Sequence, residues 1–124
     1  MSNEKEQVCS GGDVLIFACS GAVDVGDIAD KAARKLNSNG VGCMFCTAGL
    51  GGKVEPILKK TASAKRILAI DGCGLNCVKR GLENSGFTSF MHLQLGEIGL
   101  EKGKTEVSEA NITRAASAAE AMLR

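Results

Sequence analysis

Six cysteines in 124 residues are the side chains of this sequence with the most distinctive chemistry. Four of them fall near the ends of predicted elements: Cys19, Cys46, Cys73 and Cys77. A thiolate is both a nucleophile and a ligand for soft metal ions. Four thiolates around one point form the tetrahedral site that zinc adopts in proteins, with Zn–S bonds of about 2.3 Å. These thiols can share one ion only if the fold brings them together.

Short apolar runs that alternate with helical patterns predict a parallel α/β domain. Strands are predicted at 13–19, 41–46, 66–71 and 87–95, and the first and third are continuous apolar runs typical of strands buried on both faces. The alternation implies right-handed β-α-β units. We therefore predict a flexible lead-in over residues 1–12 and one domain over 13–124. Its mostly parallel sheet has four or five strands in the order 2-1-3-4, with helices on both faces.

This strand order places the cysteines at one edge of the sheet. Cys19 ends the first strand, Cys46 ends the second, and Cys73 lies just past the third. Parallel strands lie about 4.8 Å apart, and ligands of open α/β sheets bind where the chain reverses direction. If the next helix begins around Cys73, Cys77 lies on the same helix face, about 5–6 Å away between Cβ atoms. The sequence thus predicts one four-cysteine site, for zinc in the first place.

The two remaining cysteines are expected to lie elsewhere. Cys43 and Cys46 are three apart in a predicted strand, so their side chains point to opposite faces and Cys43 is expected in the core. Cys9 falls in the lead-in and is expected to be an exposed spare thiol.

Three motifs together resemble the DGC-domain family, named for the tripeptide Asp71-Gly72-Cys73. The motifs are Cys19-Ser20-Gly21, Cys46-x-Ala48-Gly49-x-Gly51-Gly52, and Ile70-Asp71-Gly72-Cys73 with Cys77, and the similarity runs over roughly residues 13–102. The resemblance implies a zinc-binding protein with four chelating cysteines and no established activity. Cys9 and Cys43 do not map onto these motifs, which leaves open whether either replaces a ligand.

Glycine-rich turns after the first two strands are candidate anion sites. The residues concerned are Ser20, Gly21, Gly49, Gly51 and Gly52. Backbone N–H groups there could hold a phosphate or a sulfur oxyanion at a helix start. The spacing of a Walker A motif is missing, so the favoured interpretation is a tight strand-to-helix turn.

Asp71 and His92 are the remaining polar candidates. Asp71 next to Cys73 could orient a ligand or a water, but capping of the following helix is the favoured role. His92 lies within the fourth strand, away from its predicted end, and is not expected to be a ligand.

Composition excludes several classes of function. The net charge is +1 and the only aromatic residues are four phenylalanines, which argues against a nucleic-acid-binding surface. The longest apolar run is far shorter than the roughly 20 residues of a membrane span. The polar, acidic start lacks the pattern of a signal peptide, so we expect a cytoplasmic protein that binds a metal ion.

Two other uses of the same thiols remain open. One is thiol redox chemistry or sulfur transfer as a persulfide, with Cys73 or Cys77 as the attacking group and Cys19 or Cys46 as the resolving one. The other is an iron–sulfur cluster, since four cysteines serve it equally well. No general acid–base pair or cofactor fingerprint is evident, so the sequence assigns neither an enzymatic activity nor a protein partner.

Overall fold

The computed structural model describes residues 14–124, in which strands and helices alternate. The strands are β1 (Val14–Ala18), β2 (Cys43–Met44), β3 (Arg66–Asp71) and β4 (Met91–Gln94). The helices are α1 (Asp24–Ser38), α2 (Thr47–Gly51), α3 (Glu55–Ala62), α4 (Cys77–Asn84) and α5 (Glu109–Met122), and a 3-10 turn (Leu95–Ile98) follows β4. The predicted lead-in over residues 1–12, with Cys9, lies outside the described residues.

The four strands form one parallel sheet in the order β2-β1-β3-β4, as predicted. Leu15 of β1 lies opposite Cys43 on one side and Ile67 on the other. Ala69 of β3 lies opposite His92 of β4. Because the chain goes from β1 to β2 on one side and then crosses to β3 on the other, its direction reverses at the carboxyl end of β1.

The core consists of two apolar clusters, one on each face of the sheet. Side chains of β1 alternate between them, because successive residues of a strand point to opposite faces. The first cluster packs under α1 and α5 and includes Ile16, Ile28, Leu36, Leu68, Ile70 and Ala115. The second packs under α2, α3 and α4 and includes Leu15, Phe17, Cys43, Leu50, Val78 and Leu82. Cys43 is therefore in the core, as predicted.

Two strands are shorter than the sequence predicts. β2 has two residues instead of the six of 41–46, although the N–H of Phe45 still donates to the carbonyl of Ile16 at 2.8 Å. Beyond Phe45 the chain turns into α2, where a glycine-rich turn was predicted. β4 begins at Met91 and gives way at Leu95 to the 3-10 turn, so it covers only part of the second half of 87–95.

The start of α1 ties a distant loop to the sheet edge. The residue that caps the helix is Val23, and Asp24 is the first helical residue. The Asp24 carboxylate accepts hydrogen bonds from the N–H groups of Val25 at 2.7 Å, Gly103 at 3.0 Å and Thr105 at 3.1 Å. These bonds hold the loop that precedes α5 against the first turn of α1.

Two other helix boundaries carry residue types that favour them. α1 ends at Ser38 with Asn39 as its C-cap, and Gly40 has a positive φ of 76°, which glycine adopts without strain. Pro56 sits in the first turn of α3, where its missing N–H has no helical partner to lose. Among residues 14–124, no helix has the length and apolar character needed to cross a membrane.

Candidate functional site

Cys19 lies immediately beyond β1, in the middle of the sheet. Its N–H donates to the carbonyl of Ile70 at 2.9 Å, which continues the pairing of β1 with β3 by one residue. Its side chain is half-buried and packs against both core clusters. The position of this thiol is therefore fixed by the two central strands.

Cys46 stands at the start of α2, on the neighbouring strand end. Its exposed Sγ accepts the N–H of Gly49 at 3.2 Å and so caps the helix. The hydroxyl of Thr47 donates to the carbonyl of Ala18 at 3.0 Å and ties this turn to the end of β1. A Cβ on residue 49 would lie 2.7 Å from Cγ1 of Ile57, so the close packing of α2 on α3 requires glycine there.

Cys73 and Cys77 lie on the connection between β3 and α4. The condition that the helix begins around Cys73 is not met, because α4 begins at Cys77 and Cys73 lies in the preceding loop. Asn76 adopts a left-handed conformation, with φ of 52° and ψ of 48°, which a continuous helix cannot contain. Cys77 is exposed and Cys73 is half-buried against the first core cluster.

Asp71 caps α4, which confirms the favoured role for this residue. It is 1% exposed, and its carboxylate accepts the N–H of Val78 at 2.8 Å and the N–H of Lys79 at 3.1 Å. The two donors are the backbone amides of the second and third residues of the helix, which have no acceptor within the helix. The cap comes from the strand end because Asn76, at the usual capping position, makes no such bond.

His92 is the polar contact that sequence reasoning missed. Its Nε2 lies 2.8 Å from Oδ2 of Asp71. The contact follows from the register of β3 and β4. His92 lies opposite Ala69, and Asp71 is two residues further along β3, so its side chain lies on the same face of the sheet. The sequence alone does not supply that register.

The electrostatics of the site centre on Cys19. Burial raises the pKa of the Cys19 thiol above its ordinary value, while a hydrogen bond with the backbone of Gly72 opposes the rise. Negative charge on Asp71, Cys77 and Cys73 raises this pKa further. These three groups therefore lie close enough to Cys19 to disfavour its thiolate.

The structure brings Cys73 and Cys77 within electrostatic range of Cys19 and does not arrange the thiols as a ready ligand set. Cys19, Cys73 and Cys77 interact electrostatically, and Cys46 lies at the adjacent strand end. In the part of the chain from Val14 onward, no three His, Cys, Asp or Glu side chains are already placed to hold a metal ion. The predicted zinc site and its alternative, an iron–sulfur cluster, stay predictions.

The glycines predicted to bind an anion have local structural roles. The N–H of Gly49 donates to Cys46, and the N–H of Gly52 donates to the carbonyl of Ala48 at 2.9 Å. Gly51 is the last residue of α2, and Gly21 has a positive φ of 121° in the loop after Ser20. Anion binding at these residues stays a prediction.

Comparison with known proteins finds a family match that covers most of the chain. The DGC domain family matches residues 15–119. A curated relative from Pseudomonas aeruginosa, named Anaerobic and virulence modulator AnvM, is 40% identical over 96 residues, which are 77% of this chain and 73% of the relative. No solved structure matches the chain.

Proposed function

This chain belongs to the DGC-domain family, and on that premise we propose that Cys19, Cys46, Cys73 and Cys77 form one regulatory thiol site that binds zinc. The observation that carries the proposal is that Cys19, Cys46 and Cys73 follow three neighbouring parallel strands, with Cys77 at the start of the next helix. Asp71, Cys73 and Cys77 each disfavour the Cys19 thiolate. A divalent cation among these groups turns the repulsion into attraction and deprotonates the thiols that coordinate it.

The donor chemistry fits zinc. The four cysteines are free thiols, and three neighbouring strand ends carry them. Thiolates are soft ligands that bind zinc in four-coordinate structural sites. In such a site Cys19, Cys46, Cys73 and Cys77 hold the ion, and its chemistry is to fix the loops that carry them. Cys46 can keep its hydrogen bond from Gly49 while it serves as a ligand.

We expect the fold to form without the metal. Each face of the sheet has its own apolar cluster, and helices cover both clusters. Because no ligand set is prearranged among residues 14–124, binding requires the cysteine side chains to reorient. We therefore expect bound zinc to exchange readily with free zinc. Ready exchange suits a regulatory zinc site better than a structural zinc site on which folding depends. The name of the relative, an anaerobic and virulence modulator, supports a regulatory role in this family.

Metal stoichiometry tests the proposal. Protein purified without chelator under anaerobic conditions should hold about one equivalent of zinc, as four protein ligands imply. Cys→Ser changes at positions 19, 46, 73 and 77 should each weaken zinc binding by about tenfold or more in competition with a chromophoric chelator. Cys43→Ala is the matched control, since it removes a cysteine of the second core cluster and should leave zinc affinity unchanged. Less than about half an equivalent of zinc in wild type refutes the proposal, and a coloured protein containing iron and sulfide favours the cluster instead.

Thiol chemistry is the second candidate, and the exposure of two cysteines favours it. Cys46 and Cys77 are exposed at helix starts, whereas Cys19 is half-buried beside them. An accessible thiol at a helix N-terminus suits a nucleophile, and a neighbouring thiol suits a resolving group. In metal-free protein near pH 7, at least one of these two thiols should then be alkylated faster than a model thiol. Rates equal to or below the model thiol at both positions exclude this candidate.

A further inference from the structure

β4 is the strand of the sheet whose end carries no cysteine among the described residues, yet two of its side chains reach the thiol site. His92 meets Asp71, as described above, with 2.8 Å between Nε2 and Oδ2. Asp71 already accepts two backbone N–H groups of α4, and a carboxylate is only an acceptor. His92 therefore donates its Nε2–H, and the buried carboxylate joins the edge strand to the helix that starts at Cys77.

Gln94 makes a second bond to the same connection. Its Nε2 donates to Oδ1 of Asn76 at 3.2 Å. Asn76 holds the left-handed conformation just before Cys77, a backbone state that a non-glycine residue keeps only with support from its surroundings. Gln94 is itself fixed by the 3-10 turn, because it forms a reciprocal capping pair with Glu97.

We propose that His92 and Gln94 are positioning residues of the thiol site, which hold the Cys73–Cys77 connection in place from the edge strand. The inference rests on the proposed zinc function and specifies how one part of the site is organised. Neither side chain touches the ion. His92 acts through Asp71 on the first turn of α4, and Gln94 acts through Asn76 on the residue before Cys77. Metal affinity depends on such supporting contacts because they orient the ligands before binding.

The test compares three variants on the edge strand. His92→Leu removes the donor to Asp71, and His92→Gln restores an N–H at a similar distance from the backbone. Leu93→Ala is the control, because Leu93 points into the first core cluster and is 5% exposed. It should lower the melting temperature while leaving the hydrogen bonds of His92 and Gln94 in place. Zinc affinity is measured by chelator competition, and cobalt substitution reports ligand geometry through the visible spectrum.

We expect His92→Leu to weaken zinc binding by about tenfold and to change the cobalt spectrum. His92→Gln should bind within about threefold of wild type, and Leu93→Ala should bind zinc normally despite its lower melting temperature. Gln94→Met, which keeps the length of the side chain and removes its amide, should weaken binding independently of Asp71. Affinity of His92→Leu within about twofold of wild type, or an equal loss in Leu93→Ala, overturns the inference.

Hydrogen exchange separates this inference from the proposed function. The Val78 and Lys79 amides, which donate to Asp71, should exchange faster in metal-free His92→Leu and return to the wild-type rate in His92→Gln. If wild type binds no zinc, the zinc proposal fails, and the positioning role is decided by these exchange rates alone. Unchanged rates in His92→Leu overturn it.

Discussion

Replacing Asp71 by asparagine tests the contact on which the organisation of the site depends. The carboxylate accepts three hydrogen bonds, at 2.8 Å from Val78, 3.1 Å from Lys79 and 2.8 Å from His92. An amide has one acceptor oxygen, so with that oxygen on Val78 its NH₂ group faces the N–H of Lys79. His92 can change tautomer and accept, but the backbone amide cannot.

The expected loss of stability follows from these bonds. An unsatisfied buried N–H costs about 1–3 kcal/mol, and removal of a negative charge at a helix N-terminus costs about 0.3–1 kcal/mol or somewhat more where the charge is buried. Asp71→Asn should therefore lower the free energy of unfolding by about 1–4 kcal/mol. For a chain of this size that corresponds to a fall in melting temperature on the order of 10 °C.

Urea denaturation with a matched control makes the measurement specific. The m-value should stay constant while the midpoint falls. Asp27→Asn is the same chemical change in an exposed pair with Lys31 at 2.8 Å, and it should cost no more than about 0.5 kcal/mol. A loss below about 1 kcal/mol in Asp71→Asn, or a loss equal to that of Asp27→Asn, would refute the assigned role of the buried carboxylate.

Three further predictions concern the same sheet edge. Gly72→Ala should cost about 1–3 kcal/mol, because a Cβ there would lie 2.8 Å from the carbonyl carbon of Val25, and thermal denaturation will show it. Hydrogen bonds hold the pKa of Asp24 below its usual range, so its contribution to stability is full above about pH 4 and disappears as the pH falls through the lower folded value. Asp24→Asn should therefore flatten the acid side of a stability-against-pH curve, and an unchanged curve contradicts this. Burial raises the pKa of Cys19, so in metal-free protein near pH 7 it should be alkylated more slowly than exposed Cys77, as mass spectrometry can determine.

The sheet could be predicted from the sequence because its two central strands have a clear apolar pattern. β1 and β3 are continuous apolar runs, and their order follows from the rules for β-α-β connections. The same strand order predicts that Cys19, Cys46 and Cys73 lie near the carboxyl ends of neighbouring strands, and along the chain these residues do follow β1, β2 and β3. Cys43 was assigned to the core from strand alternation alone.

Elements held by tertiary contacts could not be predicted in the same way. α2 contains a single large apolar residue, Leu50, and its sequence resembles a turn, but burial of Leu50 and the bond from Thr47 to β1 stabilise a helix there. The residue at which α4 begins is not evident from the sequence, because the left-handed backbone of Asn76 has no counterpart in the pattern of apolar residues. The contact between His92 and Asp71 depends on the register of two strands, which apolar patterns do not define.

The order of the strands also has a consequence for synthesis of the chain on the ribosome. β1 is made first, but one of its sides stays open until β3 emerges, since Val14 lies opposite Arg66. An unpaired, buried-type strand is a hazard for a nascent chain. A partly made polypeptide that ends before β3 carries only Cys19 and Cys46 of the four thiols, so two of the proposed ligands are absent. Metal capture would thus report that translation has passed residue 77 and that the central strands have paired.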